Sequence, residues 1–259
     1  RDSINYALNI QNAILPPIEK IENQIKEYFI LYKPKDIVSG DFYWFDTKLT
    51  IPKNNEPAQI VSIIAAVDCT GHGVPVALMS MIGSNMLKNI VEEKNVTSPE
   101  CILNEMNRSL KTVFSHNNVS GKIVDGMEAG ICSYDLATKK LEFSGARRPL
   151  IVVREESCEV IKPDAFGISN ETPSDFRFTK KSVNLENGDY VYMFTDGYTD
   201  QFGGENGKRF MKSKFIELVN SFRNTDMNEQ GVLVEKIFED WKGACEQVDD
   251  VLVMGFKFL

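Results

Sequence analysis

Ile60-Val61-Ser62-Ile63-Ile64-Ala65-Ala66-Val67-Asp68-Cys69-Thr70-Gly71-His72-Gly73 is an apolar run that stops on a carboxylate and a glycine turn. Its length and β-branched content mark a buried strand, with Asp68 at the end, where a rigid sheet can hold it toward a cleft. Three further runs carry acids at one end. Val38-Ser39-Gly40-Asp41 leads directly into Phe42-Tyr43-Trp44-Phe45, Tyr190 to Phe194 ends in Thr195-Asp196-Gly197, and Asp249-Asp250 opens Val251 to Phe258. Four such carboxylates brought together repel one another unless a cation neutralises them, and hard oxygen donors suit Mg²⁺ or Mn²⁺. The pattern predicts a metal-dependent site, and with it an enzyme. Gly40 and Gly73 fit that reading, since backbone passing close to an ion or a phosphate has no room for a Cβ. A plain turn explains them equally.

On the N-terminal side, Asp2 or Ser3 caps a helix carrying Ile4, Ala7, Leu8, Ile14 and Leu15, and Pro16-Pro17 stops it. Its apolar face either covers the domain's own core or belongs to a signalling or dimerising helix. Ile18, Ile21 and Ile25 continue a short helical pattern, so residues 1–27 read as a linker or dimerisation segment and 28–259 as the main domain. Strands are expected at 28–32, 37–46 and 59–67, the last two separated by a polar loop from Pro52 to Pro57. Helices follow at 76–93, with Pro75 in the opening turn, and at 98–115, capped by Ser98. Hairpin strands come next (127–134 with 140–143, 150–153 with 159–161), then strands at 176–184 and 189–195. Helices at 209–222 and 228–245 precede the last strand, 250–258. Consecutive strands on short turns favour antiparallel sheets, and grouped helices must cover sheet faces. The expected fold class is α+β: a four-layer α-β-β-α sandwich of two antiparallel sheets.

The chain has 259 residues, 42% hydrophobic, enough for a substantial core. Its net charge of −8, with only short basic clusters (Lys139-Lys140, Arg147-Arg148, Lys180-Lys181), argues against a nucleic-acid partner. Cys69, Cys101, Cys132, Cys158 and Cys245 are odd in number and form no C-x-x-C pair. That disfavours disulfides and zinc and favours a reducing cytoplasm. No apolar stretch is expected to span a bilayer. The start at Arg1 reads as a piece of a longer protein, whose upstream part could attach it to a membrane.

Taken jointly, Val38-Ser39-Gly40-Asp41-Phe42-Tyr43, Asp68-Cys69-Thr70-Gly71-His72-Gly73, Phe194-Thr195-Asp196-Gly197 and Asp249-Asp250 resemble, in order and spacing, the motifs of SpoIIE-type serine phosphatases. These are the bacterial branch of the metal-dependent, protein phosphatase 2C-like family. Phe143-Ser144-Gly145-Ala146 with Pro149-Leu150, and Asp200-Gln201-Phe202-Gly203-Gly204, add to a likeness covering about residues 28–259. The resemblance implies the same sandwich. It also implies two Mn²⁺ or Mg²⁺ ions held by Asp41, Asp68, Asp196 and Asp249, with Cys69 contributing its backbone carbonyl. Asp250 would then orient a water or cap its strand. The implied activity is hydrolysis of phosphoserine or phosphothreonine on a regulatory protein by metal-activated water, without a covalent phosphoenzyme.

The partners implied are a phosphoprotein, of the phosphoserine anti-sigma-antagonist type in relatives, and an upstream sensor domain. The connector is Ser3-Ile4-Asn5-Tyr6-Ala7 with Ile10-Gln11 and Ile14-Leu15-Pro16, and a homodimer through this helix is the corollary. Departures from the family pattern also matter. The phosphate-binding arginine of eukaryotic relatives has no counterpart, so Lys35 (with Lys33), His72 and Arg147 are the candidate substrate contacts. His72 reads more readily as a turn histidine satisfied by backbone, and Arg147-Arg148, standing where two asparagines are common, either tunes substrate recognition or is a neutral exposed turn. Val74-Pro75-Val76-Ala77 departs from the usual helix opening. Asp125 and Glu128 are candidates for a third ion, and His116 reads as a helix cap. Rival readings are weaker: a pseudophosphatase should lack one of the four acids, a nuclease needs a basic surface, and a structural module leaves strand-end carboxylates unexplained.

Overall fold

In the computed structural model, which describes residues 2–50, 58–71, 73–115 and 126–258, the apolar runs form two five-stranded antiparallel sheets. The first contains, in spatial order, β2 (Phe42–Thr50), β3 (Gln59–Cys69), β4 (Met127–Asp135), β5 (Lys140–Ala146) and β8 (Lys181–Asn184). The second contains β1 (Glu27–Lys33), β12 (Val251–Lys257), β9 (Tyr190–Phe194), β6 (Leu150–Val153) and β7 (Cys158–Ile161).

β3, β6, β9 and β12 are apolar along most of their length because both faces of each sheet are covered there. In β3 the period of two sorts the side chains. Ile63, Ala65 and Val67 pack under α3 (Val74–Lys88) and α4 (Pro99–Ser115), beside Leu87, Leu103 and Met106. Ile64 and Ala66 point the other way, into a layer shared with Phe143, Leu150, Met193 and Leu252. On the far side, Phe29, Tyr192 and Val253 pack with Phe215 of α6 (Lys212–Ser221) and with Val234 and Phe238 of α7 (Met227–Lys242). Three cores between four layers make this the expected α-β-β-α sandwich.

α1 (Asp2–Ile14) and α2 (Ile18–Glu22) are not free appendages. Gln11 is buried, and Ile21 and Ile25 enter the layer between the sheets. α3 runs into a π-helical turn, Asn89–Glu93. Together, Val74–Glu93 is long and apolar enough to cross a membrane by length and composition, contrary to the sequence expectation. Half of it is buried inside the protein, where Leu87, Ile90 and Val91 are inaccessible, so it serves as a core helix.

Other expectations shift at element edges. The strand anticipated from residue 37 begins at Phe42, because the backbone of Ser39 and Gly40 bonds to side chains instead of a neighbouring strand. The strand anticipated at 176–184 shrinks to Lys181–Asn184. Phe176 and Phe178 turn back under α4, where the Phe178 amide donates to Asn104 Oδ1. A short helix, α5 (Asp196–Asp200), and a small hairpin of β10 (Phe202–Gly203) and β11 (Lys208–Arg209) were not expected at all. The loop at Pro52 to Pro57, and His72, His116 and Asp125, lie outside the described residues.

Candidate active site

Pleat parity and strand ends together build the site. β2 starts, β3 ends and β4 starts at one end of the first sheet, and the register places Asp68 opposite Glu128. β9 ends and β12 starts at the adjoining end of the second, with Phe194 paired to Val253. Asp68 shares the inward parity of Ile64 and Ala66, and Thr195 shares that of Val191 and Met193. The inward residues therefore meet across the gap between the sheets. Thr195 Oγ1 donates to Asp41 Oδ2 at 2.5 Å, tying the second sheet to the first.

Asp250, of the same parity as Leu252, accepts the backbone N–H of Gly40 at 2.6 Å and of Lys35 at 2.7 Å. Both its oxygens are spent on the loop that carries Asp41. The neighbouring Asp249 is exposed, and its carboxylate accepts the Asp250 amide at 2.9 Å. Asp41 is held further by Ser39 Oγ on its N–H (3.0 Å) and Tyr32 OH on its carbonyl (3.1 Å). A Cβ on Gly40 would sit 2.7 Å from Val76 Cγ2 and 3.0 Å from the Cys69 carbonyl oxygen, so only glycine lets this loop approach β3. Burial, followed by the charge of Asp68, pushes the Cys69 thiol well above its ordinary range, which leaves it inert as a nucleophile.

At the centre lies a residue that the sequence marked only as half of the Arg147-Arg148 pair. Arg148 Nη2 is 2.5 Å from Asp68 Oδ2, 2.8 Å from Asp196 Oδ2 and 2.8 Å from Glu128 Oε2, and its side chain is 10% exposed. Arg147, the candidate substrate contact, lies at the rim and shares the Glu128 carboxylate with Arg148. Its backbone is left-handed (φ 62°), and its exposed guanidinium bonds the Ala165 carbonyl at 3.1 Å and Glu128 Oε1 at 3.2 Å. Lys35 is exposed beside Asp249, whose carboxyl feels its charge. Lys33 is drawn off to Glu235 and Glu239 of α7, at 3.0 Å each.

The electrostatics match an acidic cluster short of positive charge. Burial, then repulsion from Asp68, raises the Asp41 carboxyl well above its usual range. Burial pushes Asp68 up to about 8 against the opposing pull of Arg148, with Asp196, Asp249 and Glu128 adding to the rise. Asp249 is raised too, first by partial desolvation of its carboxyl, although the residue as a whole stays open to solvent. Among the described residues, no three acidic, histidine or cysteine side chains enclose an ion as they stand. A cation nevertheless sits among the carboxylates, the Arg148 guanidinium. The hard oxygens around it are of the donor type that suits Mg²⁺ or Mn²⁺.

A stability signature follows from Asp68. Between an ordinary carboxyl value near 4 and about 8, the folded protein keeps a proton that the unfolded chain has lost, so stability falls as pH rises across that window. In a chelator-treated sample, the wild type is expected to lose melting temperature between pH 5 and 8 relative to Asp68→Asn. Parallel melting curves for the two proteins would contradict the raised value.

Comparison with known proteins fits this geometry. The model of the Stage II sporulation protein E (SpoIIE) family matches residues 61–259. The SiaA-PP2C domain of Pseudomonas aeruginosa superposes with a TM-score of 0.84 at 30% identity, covering 100% of this chain and 96% of that one. The PP2C phosphatase domain with a regulatory fragment of SpoIIE from Bacillus subtilis gives 0.69 at 17% identity, covering 89% and 61%. The RsbU and RsbW domains of Rv1364c from Mycobacterium tuberculosis give 0.66 at 18%, covering 90% and 60%. No curated protein matches the chain. A family match over most of the chain, and a relative of 30% identity spanning all of it, place this chain in the SpoIIE family as a PP2C-like serine phosphatase domain.

Proposed function

We propose that the domain hydrolyses phosphoserine or phosphothreonine on a regulatory protein, using two Mn²⁺ or Mg²⁺ ions. Asp41, Asp68, Asp196 and Asp249 would hold them, with the Cys69 carbonyl completing the set. The observation that carries the proposal is the gathering of carboxylates from the ends of both sheets around a single buried cation. When bound, the ions supply Lewis-acid charge and lower the pKa of water.

The chain's own residues do the rest. Thr195 fixes the orientation of Asp41, and Asp250 clamps the Gly40 loop so that Asp41 and the Cys69 carbonyl keep their places. Lys35, exposed beside Asp249, offers an ammonium to the oxygens of an incoming phosphate. No protein nucleophile is required, in keeping with a buried, protonated Cys69 thiol. A dianionic substrate is tolerated among so many carboxylates only when bound cations reverse the local potential. A phosphoserine peptide is expected to release phosphate with Mn²⁺ and to stop when the metal is chelated. Absence of turnover with either ion overturns the reading.

We further propose that α1 carries regulation from an upstream module. Gln11 Nε2 donates to the Ser39 carbonyl (2.5 Å) and to Ser80 Oγ of α3 (2.9 Å), while its Oε1 accepts the Ser39 amide (2.9 Å). Ser39 lies two residues before Asp41. A shift of α1, by dimerisation or a sensor, would therefore be felt at a proposed metal ligand. Gln11→Ala leaves three buried polar groups without this partner, a cost of about 2–4 kcal/mol. It is expected to lower the melting temperature and to weaken Mn²⁺ binding by about tenfold, read by calorimetry. Unchanged Mn²⁺ affinity in a destabilised Gln11→Ala protein would leave α1 a purely structural element.

A further inference from the structure

Arg148 takes no part in the chemistry proposed above, yet it occupies the middle of the site. Its Nη2 engages Asp68 Oδ2 and Asp196 Oδ2, oxygens on two of the four proposed metal ligands, and Glu128 Oε2 besides. A divalent ion drawing on Asp68 and Asp196 needs those same carboxylates. A guanidinium nitrogen 2.5 Å from Asp68 Oδ2 and 2.8 Å from Asp196 Oδ2 stands where an ion on those two oxygens would have to sit, so the two compete for the same ligands.

The guanidinium is also incompletely seated. Its Nε is buried and finds no hydrogen-bond partner among the described residues. An unmet buried donor is a standing cost, so this seat is held by charge and not by a fully satisfied fork. Further positive charge is already resented nearby: Lys212, at the start of α6, is pushed below the ordinary ammonium range by burial and then by Arg148. The backbone, by contrast, is pinned, since the Arg148 carbonyl oxygen packs against Gly145 so closely that a Cβ there would overlap it. Movement falls to the side chain alone.

We propose that Arg148 is a built-in competitor for the divalent cation: it neutralises the carboxylates in the metal-free protein and is displaced from Asp68 and Asp196 when metal binds. This one side chain then sets how much free metal the enzyme needs. The inference rests on the metal-site reading above.

The test is Mn²⁺ binding by calorimetry at pH 8.5 to wild type, Arg148→Gln and Arg148→Lys, each first checked for folding by circular dichroism. Removing a single positive charge helps a divalent ion about twice as much as it helps a proton. Arg148→Gln is therefore expected to bind Mn²⁺ at least about tenfold more tightly, while Arg148→Lys, which keeps the charge, stays near wild type. Equal or weaker binding by folded Arg148→Gln overturns the competition but leaves the metal site standing. No binding by any of the three overturns both. If Arg148→Gln does not fold without metal, the wild type decides. On titration with Mg²⁺, the ¹⁵N side-chain resonances of Arg148 must shift as the guanidinium leaves its carboxylates. Resonances unmoved at saturation refute the exchange.

Discussion

Asp68→Asn is expected to cut Mn²⁺-dependent release of phosphate from a phosphoserine peptide by about 1,000-fold while the protein remains folded. The magnitude follows from removing one charged ligand, since metal charge supplies several kcal/mol to the transition state and each 1.4 kcal/mol is about tenfold in rate. Retention of the fold follows from the electrostatics of the metal-free protein. Asparagine keeps the shape of aspartate, and burial already pushes the Asp68 carboxyl up to about 8, so losing its charge costs the metal-free fold little. The amide oxygen can still accept from Arg148, and the strand register of β3 is untouched. Asp196→Asn should act in the same direction, because its carboxylate lies 2.8 Å from the same guanidinium nitrogen at the end of the other sheet. The pair separates ligand loss from unfolding: activity disappears while circular dichroism and the cooperative melt persist. Undiminished turnover in both variants would mean that the carboxylates are structural and that the chemistry lies elsewhere.

Much of this arrangement is legible in the sequence, for physical reasons. Asp68 and Asp41 border apolar runs long enough to be strands, and a charged residue at a buried strand's end has few places to go except a cleft. The sandwich is legible because strands apolar on both faces demand cover on both, and the helices come in two groups. Side-chain direction at irregular backbone is not. Arg147 and Arg148 follow β5 where the chain turns, and the left-handed φ of Arg147 breaks the alternation that would have told which guanidinium is buried among the carboxylates and which stays at the rim. No periodicity reaches across such a residue. Thr195 was within reach, since continuing the alternation of Val191 and Met193 by one step puts its hydroxyl on the inward face. Gln11 was not, because the sequence signal of α1 is its apolar stripe, and the polar residue that ties it to Ser39 looks like any solvent-facing glutamine. The early end of the strand expected from residue 37 has the same origin: Gln11 and Asp250 capture backbone groups that a ladder would otherwise have used.

Gly197→Ala should do the opposite of what helix propensity predicts. Gly197 lies inside α5, where alanine is ordinarily favoured by up to about 1 kcal/mol. Here a Cβ would overlap the Asp250 carbonyl oxygen, lie 2.8 Å from the Asp250 carbonyl carbon and 3.4 Å from that of Asp249. All three are backbone atoms at the start of β12, so no rotamer change relieves the clash. Nor can α5 back away. Thr195 is fastened by its amide to the Leu252 carbonyl (3.0 Å), by the Leu252 amide to its hydroxyl (3.0 Å) and by that hydroxyl to Asp41. Relief must come from Asp249-Asp250, which undoes the bonds of Asp250 to Gly40 and Lys35 and moves a proposed metal ligand. Forced overpacking against backbone costs about 3 kcal/mol or more, and in a domain of this size that is roughly 6–12 °C in melting temperature. Activity should fall with it by at least about 100-fold, because Asp41, Asp196 and Asp249 all lie on the displaced elements. Gly207→Ala is the control: its φ of 57° strains any side chain, but nothing lies within 4 Å of the added Cβ, so it should cost only about 1–2 kcal/mol and spare activity. If Gly197→Ala melts like the wild type and turns over normally, the close approach of α5 to β12 is not what holds the carboxylates in place.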